Sequence, residues 1–186
     1  MCKGSDSVSQ NENVKPKKQH SEAREWIQSI IIAVVLAFVI KMFLFDFVLV
    51  QGSSMHPTLE NGDRLIINKI EYRLGEPDYG DIVILNYSSS VEYVKRVIAK
   101  GGDTIAIKDQ VVYVNGKPID EPYVNTDPYG DFPEVTVPEG TYFVMGDNRA
   151  NSSDSRFTSL GFVDRKDIVG HVFFRFWPFD KFGSVS

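Results

Sequence analysis

Between Trp26 and Phe45 the chain is almost wholly apolar, interrupted only by Gln28, Ser29 and Lys41. About 20 residues at ~1.5 Å rise make a helix of roughly 30 Å, the thickness of a bilayer's hydrocarbon core. Lys41 lies near one end, where its amine can snorkel to the headgroups. A cleaved signal peptide and a buried core helix would carry similar runs. This one is long for a signal peptide, and no small-x-small cleavage site follows it. Nor does the chain hold other helical patterns that would enclose a core helix. A retained transmembrane anchor over 26–45 is therefore expected, preceded by a polar, disordered tail over 1–25. Lys15, Lys17, Lys18 and Arg24 precede the run, and beyond Lys41 the next basic residue is Arg64. The positive-inside rule then puts the N-terminus in the cytoplasm and residues 46–186 outside the plasma membrane.

The part after Phe45 carries 14 Lys+Arg against 21 Asp+Glu. An acidic surface argues against nucleic acid as a partner. The single cysteine, Cys2, excludes an internal disulfide and a Cys-rich zinc site. His20, His56 and His171 are too scattered for metal-ligand spacing. Neither metal nor cofactor is expected.

Beyond the anchor, short β-branched and aromatic runs alternate with Gly, Pro, Asn and Asp. Strands are expected at Phe47–Val50, Leu65–Lys69, Ile82–Leu85, Val91–Ile98, Thr104–Ile107, Val111–Val114, Glu134–Val137, Thr141–Met145 and His171–Phe176. Asn115-Gly116 is a two-residue hairpin signal. Prolines 118, 122, 128 and 133 loosen the segment around them, so 104–140 reads as a small hairpin excursion. The fold class is mainly β: a short-strand antiparallel folded sheet or barrel hung on one N-terminal helix. The aromatic run Phe173-Phe174-Arg175-Phe176-Trp177-Pro178-Phe179 is expected to pack against the domain core. The alternative is an exposed face dipping into the lipid interface.

Three stretches carry chemistry. In Gly52-Ser53-Ser54-Met55-His56-Pro57-Thr58-Leu59 a serine stands at the mouth of a strand, as an acyl-transfer nucleophile requires. Taken alone, it is equally a Ser-Pro turn. A histidine base is poorly supplied: His56 is two residues from Ser54, His20 precedes the membrane span, and His171 lies in an apolar strand. A lysine serves instead if burial lowers its pKa from about 10.4 towards 7–8. Lys95 sits in the apolar strand Val91-Glu92-Tyr93-Val94-Lys95-Arg96-Val97-Ile98, where alternation sends Lys95 and Arg96 to opposite faces. The third stretch, Met145 to Arg156, is dense in short hydrogen-bonding side chains, as a bracing loop or a solvated turn would be.

Together these stretches resemble the type I signal peptidases, the membrane-bound Ser/Lys proteases that remove signal peptides. Gly52-Ser53-Ser54-Met55-His56-Pro57-Thr58 resembles the nucleophile box, and Asp63-Arg64-Leu65 the box after it. Tyr93-Val94-Lys95-Arg96-Val97-Ile98 resembles the general-base box. Gly146-Asp147-Asn148-Arg149, with Asn151-Ser152 and Asp154-Ser155-Arg156, resembles the last. Several motifs in the right order are far more specific than any one. The resemblance runs from the anchor to Pro178. It implies Ser54 as nucleophile, in preference to Ser53, and Lys95 as general base. It also implies that Ser152 orients the lysine amine, and that Arg96 with Asp147, and Asp154 with Arg156, form bracing ion pairs. The oxyanion hole would use the Ser54 backbone N–H. Many relatives add a serine hydroxyl two positions before the nucleophile. That position is Gly52 here, as in the single-anchor branch found in Gram-positive bacteria.

The implied substrates are secretory preproteins with small residues at P1 and P3, an Ala-x-Ala pattern, taken up by strand addition. Val48, Val50, Met55, Leu59, Tyr93 and Val94 are candidate pocket walls, and the lipid bilayer is the second partner. Two other functions fit less of the chain. A Ser/Lys self-cleaving repressor lacks the membrane span, and a non-catalytic tethered β-domain binding extended peptides needs neither Ser54 nor Lys95.

Overall fold

A computed structural model describes residues 22–88, 91–124 and 129–185 of the chain. The tail expected to be disordered lies almost entirely outside the described residues. By packing, the chain divides into two units, Met1–Ala37 and Phe38–Ser186. Helix α1 (Glu22–Phe43) starts four residues before the expected anchor and ends two before its end. Over Ala23–Ile40 its side chains have no protein covering them. A helix apolar on every side has no polar face to give to water, as in a membrane span. The Ser29 hydroxyl donates to the Glu25 carbonyl at 2.9 Å, so this polar group is satisfied within the helix.

Phe45 belongs to strand β1 (Phe45–Leu49), which pairs antiparallel with β2 (Arg64–Asn68) from Phe45↔Asn68 to Leu49↔Arg64. A one-turn helix, α2 (Glu71–Leu74), follows; it is too short to leave a periodic signal in the sequence. Then come β3 (Ile82–Ser88) and β4 (Val91–Lys100). The chain next builds a second, four-stranded sheet from β5 (Thr104–Lys108), β6 (Val111–Val114), β7 (Lys117–Pro118) and β8 (Phe132–Thr136). The turn before β7 has positive φ at Asn115 (53°) and Gly116 (72°), as a type I′ hairpin requires. The chain rejoins the first sheet with β9 (Thr141–Met145), β10 (Val163–Asp164), β11 (Ile168–Trp177) and β12 (Gly183–Ser184).

The first sheet runs β1-β2-β11-β3-β4-β9-β10, with β12 on β11. It is open, with β1 and β10 at its ends. Of the two forms expected from the sequence, the folded sheet is the one adopted, and the barrel is not. Its centre is covered on both faces. Ile82 and Ile84 pack with Val50, Met55, Leu59, Leu65 and Ile67. Val83 and Leu85 pack on the other side with Tyr72, Val97, Tyr142 and Val163. This two-sided burial explains why Ile82-Val83-Ile84-Leu85 reads as an unbroken apolar run. A third cluster joins the sheets through Ile98, Phe143 and Met145 on one side and Ile105, Ile107 and Val112 on the other.

Within the C-terminal aromatic run Phe173, Phe174 and Phe176 are half-buried, but its end departs from the packing expected of it, and Phe182 beyond it is open too. Trp177, Phe179 and Phe182 are 43%, 73% and 60% exposed, and Phe47 and Leu49 on β1 are also open. Phe47 meets the half-buried Phe176 of β11 edge-on at 5.6 Å. The cis Trp177–Pro178 bond lies between β11 and the turn carrying Phe179.

Candidate active site

Ser54 stands in the loop between β1 and β2. The base of that loop is closed by Val50 N–H to Asp63 O (2.8 Å) and Gly62 N–H to Val50 O (3.0 Å). Gly52 has φ +95°, a conformation that side chains resist, and its N–H donates to Asn61 Oδ1 at 3.0 Å. A Cβ there would meet nothing within 4 Å, so backbone shape, not crowding, selects glycine. The buried Met55 and Leu59 plug the loop into the core, and Leu59 N–H donates to Met55 O at 2.9 Å.

Lys95 lies on β4 opposite Val83 of β3 and is only 3% exposed. Its Nζ donates to Ser54 Oγ at 2.9 Å and to the Val94 carbonyl at 3.1 Å, and stands 5.0 Å from the Tyr93 ring centroid. Loss of water lowers its pKa from 10.5 to about 8, outweighing the carboxylates of Asp154 and Asp147, which raise it; Arg156 lowers it further. At pH 7 roughly one lysine in ten is then neutral, against about one in three thousand for a solvated lysine. Neutral Nζ offers a lone pair to the serine proton, which is what a general base must do.

Alternation turns Arg96 away from its neighbour, to the buried Asp147. Nε reaches Oδ1 at 2.9 Å, Nη2 reaches Oδ2 at 2.8 Å, and Nη1 donates to the Gly80 carbonyl at 2.8 Å. Asp147 Oδ2 also accepts from the Thr58 hydroxyl at 2.5 Å, tying the pair to the Ser54 loop. Asp154 is fully buried between Arg156 (Nε 2.8 Å, Nη2 2.9 Å) and the Gly146 N–H at 3.1 Å. Each charge of these two pairs thus has an opposite charge and hydrogen bonds, as a low-dielectric setting demands.

The two loops are stitched together by Asn148. Its N–H donates to the Ser54 carbonyl at 3.0 Å and its Nδ2 to the Ser53 carbonyl at 3.1 Å. Asn151 Nδ2 donates to Ser53 Oγ at 3.0 Å. Gly146 makes this approach possible: a Cβ there would sit 2.4 Å from the Ser54 carbonyl and 2.3 Å from Ser152 Oγ. The Ser152 hydroxyl is buried and has no hydrogen-bond partner among the described residues. The lysine amine is held by the Val94 carbonyl and Ser54 Oγ, and no bond joins it to Ser152.

A groove of about 720 Å³ opens in front of Ser54 and Lys95. Val48 to Met55 line it from the β1 side and Val91 to Lys95 from β4, and Asn151 and Ser153 line it as well. Five of the residues expected as pocket walls line it: Val48, Val50, Met55, Tyr93 and Val94. Leu59 does not; it is wholly buried in the core beneath the loop. Sequence reasoning missed Arg175, whose Nη1 donates to Thr58 O at 3.1 Å and Asp63 Oδ2 at 2.9 Å, bracing the Ser54 loop from β11. It also missed Glu121 and Tyr123. A charged residue inside an aromatic strand was the available signal for Arg175; Glu121 and Tyr123 sit in a Pro-rich stretch and carry none.

Residues 23–177 match the family described as signal peptidase, peptidase S26. The chain is 47% identical over 176 residues to signal peptidase I T of Bacillus subtilis, covering 89% of this chain and 91% of that protein. It is 48% identical over 185 residues to signal peptidase I of Bacillus amyloliquefaciens, covering 90% and 95%. To signal peptidase IB of Staphylococcus aureus it is 40% identical over 179 residues, covering 87% and 93%.

Proposed function

Because this chain belongs to the signal peptidase family, peptidase S26, we propose that it removes signal peptides from exported preproteins through a Ser54–Lys95 dyad. It is a membrane-anchored serine endopeptidase. The observation that carries the dyad is the 2.9 Å approach of the buried Lys95 amine to Ser54 Oγ. Neutral Lys95 takes the hydroxyl proton as Oγ attacks the scissile carbonyl carbon. The tetrahedral oxyanion is met by the Ser54 N–H, which makes no hydrogen bond within the described residues. The resulting ammonium protonates the departing amine, leaving an acyl-enzyme. Lys95, neutral again, takes a proton from water as the water oxygen attacks the ester, then gives that proton to the departing Ser54 Oγ, which frees the product acid and restores the serine hydroxyl and the neutral amine. The unpartnered Ser152 hydroxyl is a third partner proposed for the amine, beside Ser54 Oγ and the Val94 carbonyl.

The substrate is an extended secretory preprotein segment laid between the β1 and β4 walls of the groove, adding its backbone to theirs. Val48, Val50, Tyr93 and Val94 offer only shallow apolar relief, which suits small side chains at alternate positions, as in Ala-x-Ala. The exposed Phe47, Trp177, Phe179 and Phe182 suit a lipid interface.

The pH dependence tests the base. Log kcat/KM for preprotein cleavage is expected to rise about one unit per pH unit below pH 8, the range in which Lys95 is charged, and to level above it. An acid limb centred at about 6.5 would instead indicate a histidine and remove Lys95 from the role. Orientation is tested separately. Protease added outside intact cells is expected to digest the catalytic domain; full protection in cells whose surface proteins are cleaved would reverse the proposed topology.

A further inference from the structure

The excursion that carries the second sheet returns a strap, Ile119–Val124, to the catalytic ion pairs. Its start is fixed by Ile119 N–H to Val112 O at 3.0 Å, and its turn by Val124 N–H to Glu121 O at 3.1 Å. The Tyr123 ring lies on the Arg96 guanidinium, 3.8 Å from ring centroid to Cζ. All the guanidinium edges used by Arg96 point to Asp147 and Gly80, so the ring covers a flat face that water would otherwise solvate. Tyr123 OH donates to Glu121 Oε1 at 3.1 Å, and Glu121 forms a two-armed pair with the buried Arg149. Arg149 Nε in turn donates to the Gly146 carbonyl at 3.1 Å. Beyond the strap, the Tyr129 ring faces both Arg149 and Arg156, at 5.6 and 5.5 Å.

We propose that Tyr123 and Glu121 are positioning residues that hold Arg96 and Arg149, and through them the Asp147–Asn148 turn, so that Ser54 and Lys95 stay aligned. The proposal rests on the Ser54–Lys95 dyad. Contact is continuous along this path: ring to Arg96, Arg96 to Asp147, Asp147 to Thr58, and Asn148 to the Ser54 carbonyl. Glu121 supplies the second route, through Arg149 to Gly146, beside which a Cβ cannot fit. Neither residue lines the groove, so substrate binding does not depend on them directly.

A merely structural strap would alter stability alone; a positioning strap alters kcat and the protonation of Lys95. The charged groups acting on Lys95 are Asp154, Asp147 and Arg156. Loosening Arg96 leaves Asp147 less neutralised, and a freer carboxylate raises the lysine pKa. The test uses the full chain purified in detergent, with a preprotein substrate. Tyr123→Leu is expected to lower kcat about tenfold, with KM changed less than about twofold. Its acid limb is expected to move to higher pH, while Tyr123→Phe, which keeps the ring, stays near wild type. A wild-type kcat for Tyr123→Leu, an equal loss in Tyr123→Phe, or a loss with an unmoved acid limb would each overturn the proposal. If Tyr123→Leu does not fold, the isosteric Glu121→Gln decides: a lower kcat with KM changed less than about twofold supports it, and an unchanged kcat or a kcat loss matched by a rise in KM sinks it. Ser54→Ala runs alongside. Full activity there defeats the dyad itself, whereas inactive Ser54→Ala beside an unaffected strap variant defeats only the strap.

Discussion

Ser54→Ala is expected to lower preprotein cleavage by at least about 10⁴-fold, because it removes the hydroxyl that the Lys95 amine contacts at 2.9 Å. Lys95→Ala is expected to fall in the same range. The more discriminating variant is Lys95→Arg. It keeps a long cationic side chain in the same strand, but a guanidinium holds its proton above about pH 12 and has no lone pair to offer. It should therefore be as inactive as Lys95→Ala at every pH at which the protein is folded. In the proposed dyad nucleophile and base act as one unit, so the double variant should lose little beyond either single one. Single-turnover cleavage of a preprotein by the purified chain, followed by the appearance of mature product, gives these values. Near-wild-type turnover by either alanine variant would mean that the 2.9 Å contact is not catalytic.

The largest expected effect on stability lies one residue further along β4. Asp147→Ala leaves the Arg96 guanidinium, 2% exposed, without its carboxylate. Stranding a buried charge costs about 3–5 kcal/mol. In a chain of this size that lowers Tm by roughly 6–20 °C. Thr58 and the Ser54 loop also lose their anchor, so cleavage should fall with stability. Replacing both partners with apolar residues of similar volume, Arg96→Met with Asp147→Leu, should recover much of the Tm and none of the activity. The reason is that the pair's desolvation cost nearly offsets its attraction, while its geometry serves the site. A thermal melt of the three proteins, scored by near-UV circular dichroism, checks the ordering. An Asp147→Ala melt within a degree or two of wild type would show that Arg96 finds another partner.

The anchor and the fold class were legible in the sequence because both follow from short-range regularities. Twenty apolar residues need no context to be recognised, and alternating β-branched runs closed by Asn115-Gly116 need only local φ preferences. Boundaries slipped where pairing overrode composition: Phe45 is as apolar as the helix before it, but Asn68 lies opposite, and the residue joins β1. Leu59 looked like a pocket wall by proximity to Ser54, yet the turn at the cis His56–Pro57 bond is followed by a core position. The aromatic C-terminus shows the opposite error. The rings of Phe173 to Phe179 were assigned to the core by type, while the end of β11 and the turn after it leave Trp177 and Phe179 exposed.

By itself the sequence determined which residue types were available for chemistry. It holds a serine in a tight turn, a lysine in an apolar strand, no histidine with a useful spacing, and a polar loop able to brace them. The tertiary structure decided who meets whom. Ser54 and Lys95 are 41 positions apart, Arg96 and Asp147 are 51, and Thr58 and Arg175 are 117. These contacts depend on sheet order and on burial of charge, and neither is a property of any window of sequence. The same burial lowers the Lys95 pKa to about 8, so the fitness of Lys95 for its proposed role as base is a tertiary property: an apolar strand supplies the neighbours, but only packing removes the water.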